Sequence, residues 1–241
     1  LLAGKMYAIF ALLFGLSFFI QHDNQAQKGI DFRPRFAWRM VLLMLFGLFD
    51  LMFYNGDILF IYAVCGLLII PLIRASDKVI WFFIALMLLQ PVELAYMIAG
   101  ALDPSIAPMD VGIGRYWDLL TYAQTDGSII DVAKGGILYG LPINFGWALE
   151  NGRLTQTVCF FLIGILLGRR RLFYNEGDNL VIWKRILTYA CIGLAVMLPA
   201  YYLLPRATDV PCISHSLNVM LNMWKNFCMM MIIVSGVTLL Y

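Results

Sequence analysis

Residues 36–73 read FAWRMVLLMLFGLFDLMFYNGDILFIYAVCGLLIIPLI. Two almost unbroken apolar runs, 36–54 and 58–73, are separated only by the tight polar turn Tyr54–Asp57. A hydrocarbon core of ~30 Å demands about 17–25 apolar residues per helical crossing at ~1.5 Å per residue. This stretch therefore predicts a transmembrane helical hairpin. The same test outward along the chain finds further runs at 6–21, 79–99, 154–168, 182–204 and 217–241. The predicted fold class is all-α, a polytopic bundle of about seven spans forming one integral-membrane domain over 1–241. The runs 58–73 and 154–168 are short for a full crossing.

Composition leads to the same class. Hydrophobic residues make up 62% of the 241 residues, charged residues 13%, and mean hydropathy is +0.81. That leaves too little polar material to coat a water-facing sphere, so lipid is the solvent of most of the surface. A net charge of +2 excludes the basic excess that nucleic-acid binding requires. Cys65, Cys159, Cys191, Cys212 and Cys228 show no metal or redox spacing, and His22 and His215 alone cannot make a metal site. The chain opens at Leu1 in an apolar run and stops at Tyr241 in another, which reads as a fragment cut at both ends.

The stretch 100–153 differs from its surroundings. Pro104, Pro108, Pro142, scattered glycines and six carboxylates make it an outer-face loop with interfacial helices, with 136–149 re-entrant or interfacial. Basic residues set the sidedness. Lys28, Arg33, Arg35 and Arg39, then Arg74 and Lys78, then Arg169–Arg171, Lys184 and Arg185 fall in alternate connections. The intervening connections are poor in positive charge, so the rich ones are cytoplasmic.

Ionisable groups in apolar runs cost ~2.5–3.5 kcal/mol each at a helix centre and call for an explanation. Asp50, Asp57, Glu93, Glu150 and Lys225 all fall in the outer half or at the outer rim. Asp57 fits an N-cap for a helix opening at Ile58; Lys225 fits snorkelling or a carboxylate pair; Glu150 fits water. Asp50 and Glu93 line a polar outer cavity or make structural pairs, with Tyr54, Tyr62 and Tyr96 beside them or in an aromatic belt. His215 is a general base or a solvated interface histidine. The clusters Arg33, Arg35, Arg39 and Arg169–Arg171 either orient the chain or form a mouth for a phosphate-bearing donor. Gly136–Gly140 and Gly164–Gly168 carry the small-xxx-small spacing of helix packing.

Several strings carry a family resemblance. Gly4-Lys5-Met6 with Ala8–Gly15, Arg39 with Leu45-Phe46-Gly47-Leu48, and Gly56-Asp57-Ile58-Leu59 with Tyr62-Ala63 and Gly66 occur in that order. Glu150–Arg153, Gln156-Thr157 and Phe161–Arg169 follow. Together these resemble the DUF418 family, the YeiB-like bacterial inner-membrane proteins. Asp50 stands where many members have histidine. By fold that family is grouped with transmembrane acyltransferases, including the heparan-glucosaminide acetyltransferase type. The resemblance implies a multi-pass protein of the bacterial inner membrane with acyl-CoA as co-substrate and no permanently bound cofactor. Its acceptor would be an envelope glycan, lipid or small molecule. Asp50 and Asp57 would be the outer polar pair, Glu93 and Lys225 supporting charges, and Arg33, Arg35, Arg39 and Arg169 the donor contacts. The competing expectation is a transporter or exporter using the same carboxylates as a proton or substrate site. A scaffold or regulatory subunit is the third.

Overall fold

The computed structural model describes residues 5–174 and 177–240; Gly4 of the motif above and Tyr241 of the last apolar run lie outside them. Every regular element among the described residues is helical. Helix α1 (Lys5–Ala26) is followed by α2 (Arg33–Leu51), the turn at Tyr54–Asp57, and α3 (Leu59–Ile69) with a 3₁₀ turn to Arg74. Then come α4 (Asp77–Leu88), α5 (Pro91–Leu102), α6 (Gly114–Thr125) and α7 (Ile129–Gly135). A π turn (Gly136–Gly140) joins α7 to α8 (Leu141–Glu150); α9 (Arg153–Arg169), α10 (Asn179–Leu203) and α11 (Pro211–Leu240) complete the chain.

Among the described residues three stretches are long and apolar enough to cross a membrane: Met6–Ala26, Asn179–Ala207 and Pro211–Leu240. Counting two bent pairs as one span each gives up to five candidates. The apolar run at 79–99, read above as one span, is a broken pair: α4 and α5 meet at 42°. Pro91 supplies the reason, because its ring disfavours a helical conformation for the residue before it. Gln90 is left-handed, at φ 47°. The second break, 71°, falls between α8 and α9 at Asn151–Gly152, where Gly152 takes φ +60°.

Helix α9 is the centre of the molecule, and nearly every residue from Gln156 to Gly168 is buried. It packs most extensively on α1. Gly15 and Gly164 allow this: a Cβ on Gly15 would run into the Phe161 carbonyl, and one on Gly164 into the Leu12 carbonyl. Small residues bring two backbones close enough for dispersion contacts along the whole seam. Phe14 stacks on Phe161 at 4.6 Å, and the Tyr62 ring lies 5.3 Å from the same phenyl. Helix α10 is the opposite case. It packs chiefly on α11 and buries only Trp183 and Ala190, leaving an otherwise apolar circumference exposed.

Side-chain contacts gather the helix ends into two groups. Arg39 with Gln21, Arg74 with Asp31, and Arg169 with Asp77 join one end of α1, α2, α4 and α9. Tyr7 with Thr157, Tyr62 with the Tyr7 carbonyl, and Asn144 with the Asp57 carbonyl join the other. The first is the basic end, the second the cavity end.

Candidate functional site

At the cavity end the chain leaves α2 and turns through Tyr54-Asn55-Gly56 into α3. Asp57 Oδ1 accepts from the Leu59 amide at 2.9 Å, so this carboxylate satisfies an orphan donor of the first turn. The other oxygen, Oδ2, is buried and accepts no hydrogen bond from the described residues, in a residue 6% exposed. Burial pushes the Asp57 carboxyl above its usual range; the Leu59, Phe60 and Ile58 amides pull the other way, while the nearby Asp50 charge adds to the rise.

Helix α8 clamps this turn. Asn144 Nδ2 donates to the Asp57 carbonyl at 2.5 Å and to the Asn55 carbonyl at 3.4 Å. Two glycines let α7 and α8 approach. A Cβ on Gly136 would meet the Leu51 and Met52 carbonyls, and one on Gly140 would sit 2.9 Å from Asn55 Oδ1. The clamp leaves Asn144 Oδ1 and Asn55 Oδ1 buried beside Asp57, without partners among the described residues.

Arg153 opens α9 just after the Gly152 kink. Its Nη1 donates to Gln156 Oε1 at 3.0 Å, and its guanidinium lies 5.4 Å from the Tyr7 ring and 5.6 Å from the Trp147 ring. Among the described residues no carboxylate forms an ion pair with it. A guanidinium held between two rings is pre-organised for an anionic or planar polar group. Asp57, Asn144 and Arg153 all line one cavity of about 830 Å³, walled by Tyr54, Trp117 and Trp147. That volume suits a small-molecule ligand, and the lining has the usual composition of such sites: aromatic walls and a few convergent polar groups. The arrangement offers a carboxylate oxygen to a hydroxyl or amine, and a cation to a negative or polarised oxygen.

The structure distributes the residues singled out from sequence among several places. Asp57 lines the cavity. Asp50 is exposed at the end of α2, near enough for its charge to act on Asp57, but it is not part of the cavity wall. Glu93 is 1% exposed on α5, beside a separate small cavity with Gln90, Gly152 and Thr155. Lys225 is half-buried with its ammonium 3.5 Å from the centre of the Tyr201 ring. Tyr54 lines the large cavity; Tyr62 is fully buried and donates to the Tyr7 carbonyl at 2.7 Å.

At the basic end most guanidinium groups are engaged within the fold. Arg33 pairs with Asp31 at 2.8 Å, and Arg74 approaches the same carboxylate at 3.4 Å. Arg169 donates to Asp77 at 2.7 Å and to the Ala75 and Ile73 carbonyls at 2.8 and 2.6 Å. Arg39 is hydrogen-bonded to Gln21 and lies over the Phe32 ring, and Arg35 is exposed.

Two cavity residues, Arg153 and Asn144, were not picked out as site residues from sequence. Arg153 had two available signals, its place in the Glu150–Arg153 string of the resemblance and a positive charge at the end of a stretch dominated by carboxylates. Asn144 had the polar side chain within an apolar run, four residues after Gly140.

The fold and this cavity define a class: an all-α protein with three to five candidate membrane spans and a polar, aromatic-walled cavity at one end of its bundle. Against known proteins the chain is similar to an uncharacterized 39.9 kDa protein in the amylase 3′ region of Bacillus acidopullulyticus. The two are 27% identical over 140 residues, covering 56% of this chain and 40% of that protein. No family model and no solved structure matches the chain.

Proposed function

We infer that the chain is the membrane core of an acyltransferase-like enzyme of the bacterial inner membrane, with its acceptor site in the Asp57 cavity. The resemblance to DUF418 proteins motivates the reaction class, and one observation carries the site. Among the described residues, a buried carboxylate oxygen without a hydrogen-bond partner shares a cavity with a guanidinium that has no carboxylate partner. An acceptor hydroxyl or amine in that cavity gives its proton to Asp57 as the acceptor atom attacks the thioester carbonyl of acyl-CoA. The new C–O or C–N bond forms and the C–S bond breaks. The thiolate leaves and takes up the proton from Asp57. Arg153 stabilises the oxyanion of the tetrahedral intermediate, and Asn55 and Asn144 orient the acceptor.

Under this reading Arg35 and Arg39 contact the donor phosphates, Arg33 adds charge, and Arg169 is a positioning residue whose donors hold the turn before α4. Asp50 tunes Asp57 through its charge, while Glu93 and Lys225 support the bundle. Arg153 and Arg169 lie about 24 Å apart along α9, so the pantetheine arm must extend across most of the bilayer core. The acceptor is an envelope glycan, lipid or small molecule.

The test uses the protein in detergent with acetyl-CoA and longer acyl-CoAs. A ligand at about 100 times its Kd adds ~2.7 kcal/mol of apparent stability. A saturable rise in melting temperature that is lost in R35A/R39A protein is expected. Thioester turnover that survives Asp57→Asn would remove Asp57 from the mechanism. A second reading, a transporter, is favoured by Glu93, which is buried at a helix break with neither oxygen hydrogen-bonded. Solute flux in proteoliposomes without acyl-CoA turnover would establish it in place of the enzyme.

A further inference from the structure

The two helix breaks meet. A Cβ on Gly152, at the α8–α9 break, would lie 2.8 Å from the Oε1 of Gln90, at the α4–α5 break. Between them is a cavity of about 20 Å³ lined by Gln90, Glu93, Gly152 and Thr155 together with apolar side chains. We propose that Glu93, Gln90 and Thr155 form a binding site for one sodium-sized monovalent cation at this junction.

The donor set is oxygen. Gln90 is 1% exposed, and its Nε2 donates to the Met220 carbonyl at 3.3 Å, which leaves Oε1 on the cavity side without a partner. Glu93 is 1% exposed, and among the described residues neither of its carboxylate oxygens has a hydrogen-bond partner. Thr155 Oγ donates to the Gly152 carbonyl at 2.8 Å, so its lone pairs remain free to coordinate. The buried Ser216 hydroxyl also neighbours Glu93. Hard oxygen donors of this kind suit alkali and alkaline-earth cations.

Charge selects among them. One carboxylate in apolar surroundings is neutralised by one positive charge, whereas a divalent ion would leave a net charge buried. Size selects further. A space of about 20 Å³ accommodates one small ion or one water, with no room for a hydration shell. The backbone is already shaped for the site. Left-handed Gln90 and the Gly152 kink are conformations a continuous helix would not need, and broken helices are where membrane proteins bring side chains and backbone oxygens onto ions. His215 is the neighbouring imidazole, and among the described residues its buried Nε2 has no hydrogen-bond partner. The inference stands apart from the chemistry proposed at Asp57.

The experiment is a melting series on the purified full chain, read by tryptophan fluorescence, in sodium, potassium or choline chloride at constant ionic strength. Trp224 is a local reporter, since its Nε1 donates to the Leu88 carbonyl at the α4–α5 break. A saturable rise with sodium, smaller with potassium and absent with choline, is expected. Glu93→Gln should abolish it, Thr155→Val should weaken the apparent affinity about tenfold, and Asp57→Asn should keep it. Identical melting in sodium and choline, or a sodium response retained by Glu93→Gln, would overturn the proposal. Should Glu93→Gln fail to fold, equilibrium binding of radiolabelled sodium to the parent and to Thr155→Val decides. One ion per chain, bound more weakly by the variant, supports the site; no binding rejects it.

Discussion

The two ends of the bundle use the same kinds of residue in opposite ways. At the basic end, Arg33, Arg74 and Arg169 are paired with carboxylates. Asp31 serves Arg33 and Arg74, and Arg169 satisfies Asp77 and two carbonyls. At the cavity end Asp57, Asn55 and Asn144 each keep a buried oxygen without a partner, and Arg153 has no acid in reach among the described residues. Unpaired buried polar groups cost stability, so a fold selected for stability alone would pair or remove them. The paired charges of the basic end therefore read as structure, with Arg35 and Arg39 left for the donor, and the cavity end reads as function. Charge density in the sequence suggests the reverse, because it draws attention to the arginine clusters.

The largest effect that tests this contrast is on turnover. Asparagine caps a helix as well as aspartate does, so Asp57→Asn keeps the acceptor for the Leu59 amide while losing the base. Acyl transfer should fall by about 10²–10⁴-fold, with the melting temperature unchanged or raised. A large loss of stability without loss of turnover would place Asp57 with the structural charges. Next is Arg169→Ala, which strips donors from Asp77 and two carbonyls. Its cost should be ~2–3 kcal/mol, reduced by the partial exposure of Asp77, and it should appear in denaturant melts as lower stability. Arg153→Met strips the donor from the buried Gln156 Oε1, so it should cost ~1–3 kcal/mol, and it should lower turnover while leaving acyl-CoA-induced stabilisation in place. A smaller effect is expected of Gly152→Ala. A non-glycine residue at φ +60° and a Cβ 2.8 Å from Gln90 Oε1 should together cost ~1–2 kcal/mol.

The smallest effect has the clearest sign. Asp57 has a raised pKa, so its contribution to stability is present below the unfolded value near 3.8 and is lost as pH rises through the folded value. Asp57→Asn protein should thus gain on the parent as pH rises above 4. Asp31 behaves oppositely. Its bonds from Arg33 hold the carboxyl far below 3.8, so its contribution is present above that value and is lost as pH falls through the folded one. Asp31→Asn should melt below the parent at neutral pH and converge with it in acid. Salt should shrink the Asp31 difference more, because that ion pair is solvent-exposed.

Much of the helical layout was legible. Each apolar run falls on a helix or a bent helix pair, because about 20 apolar residues in a row can satisfy their backbone in lipid only as helix. Both glycine pairs proved to be sites of close backbone approach, Gly164 against Leu12 and Gly136 against Leu51. Gln90-Pro91 held a readable signal for the break in 79–99 that the length of the apolar run obscured. That Asp57 serves the first turn of α3 was legible, although the cap position itself falls one residue later, on Ile58; its free oxygen was not, since that depends on what α8 places opposite it.

The sequence by itself determined that this is an all-helical chain with lipid-compatible helices and alternating charge between its connections. Those properties follow from counts and spacing along one dimension. Only the tertiary structure decided that α9 is the core while α10, equally apolar to the eye, lies at the edge. Lipid tails and a protein interior are alike as apolar surroundings, so hydrophobic pattern does not say which face of a membrane helix meets which. Only the tertiary structure, too, brought Asp57 to Asn144, 87 residues away, and onto the same cavity as Arg153. Side chains that distant in sequence share a site only when packing closes the loop between them, and here the close approach of Gly136 and Gly140 to the end of α2 does so.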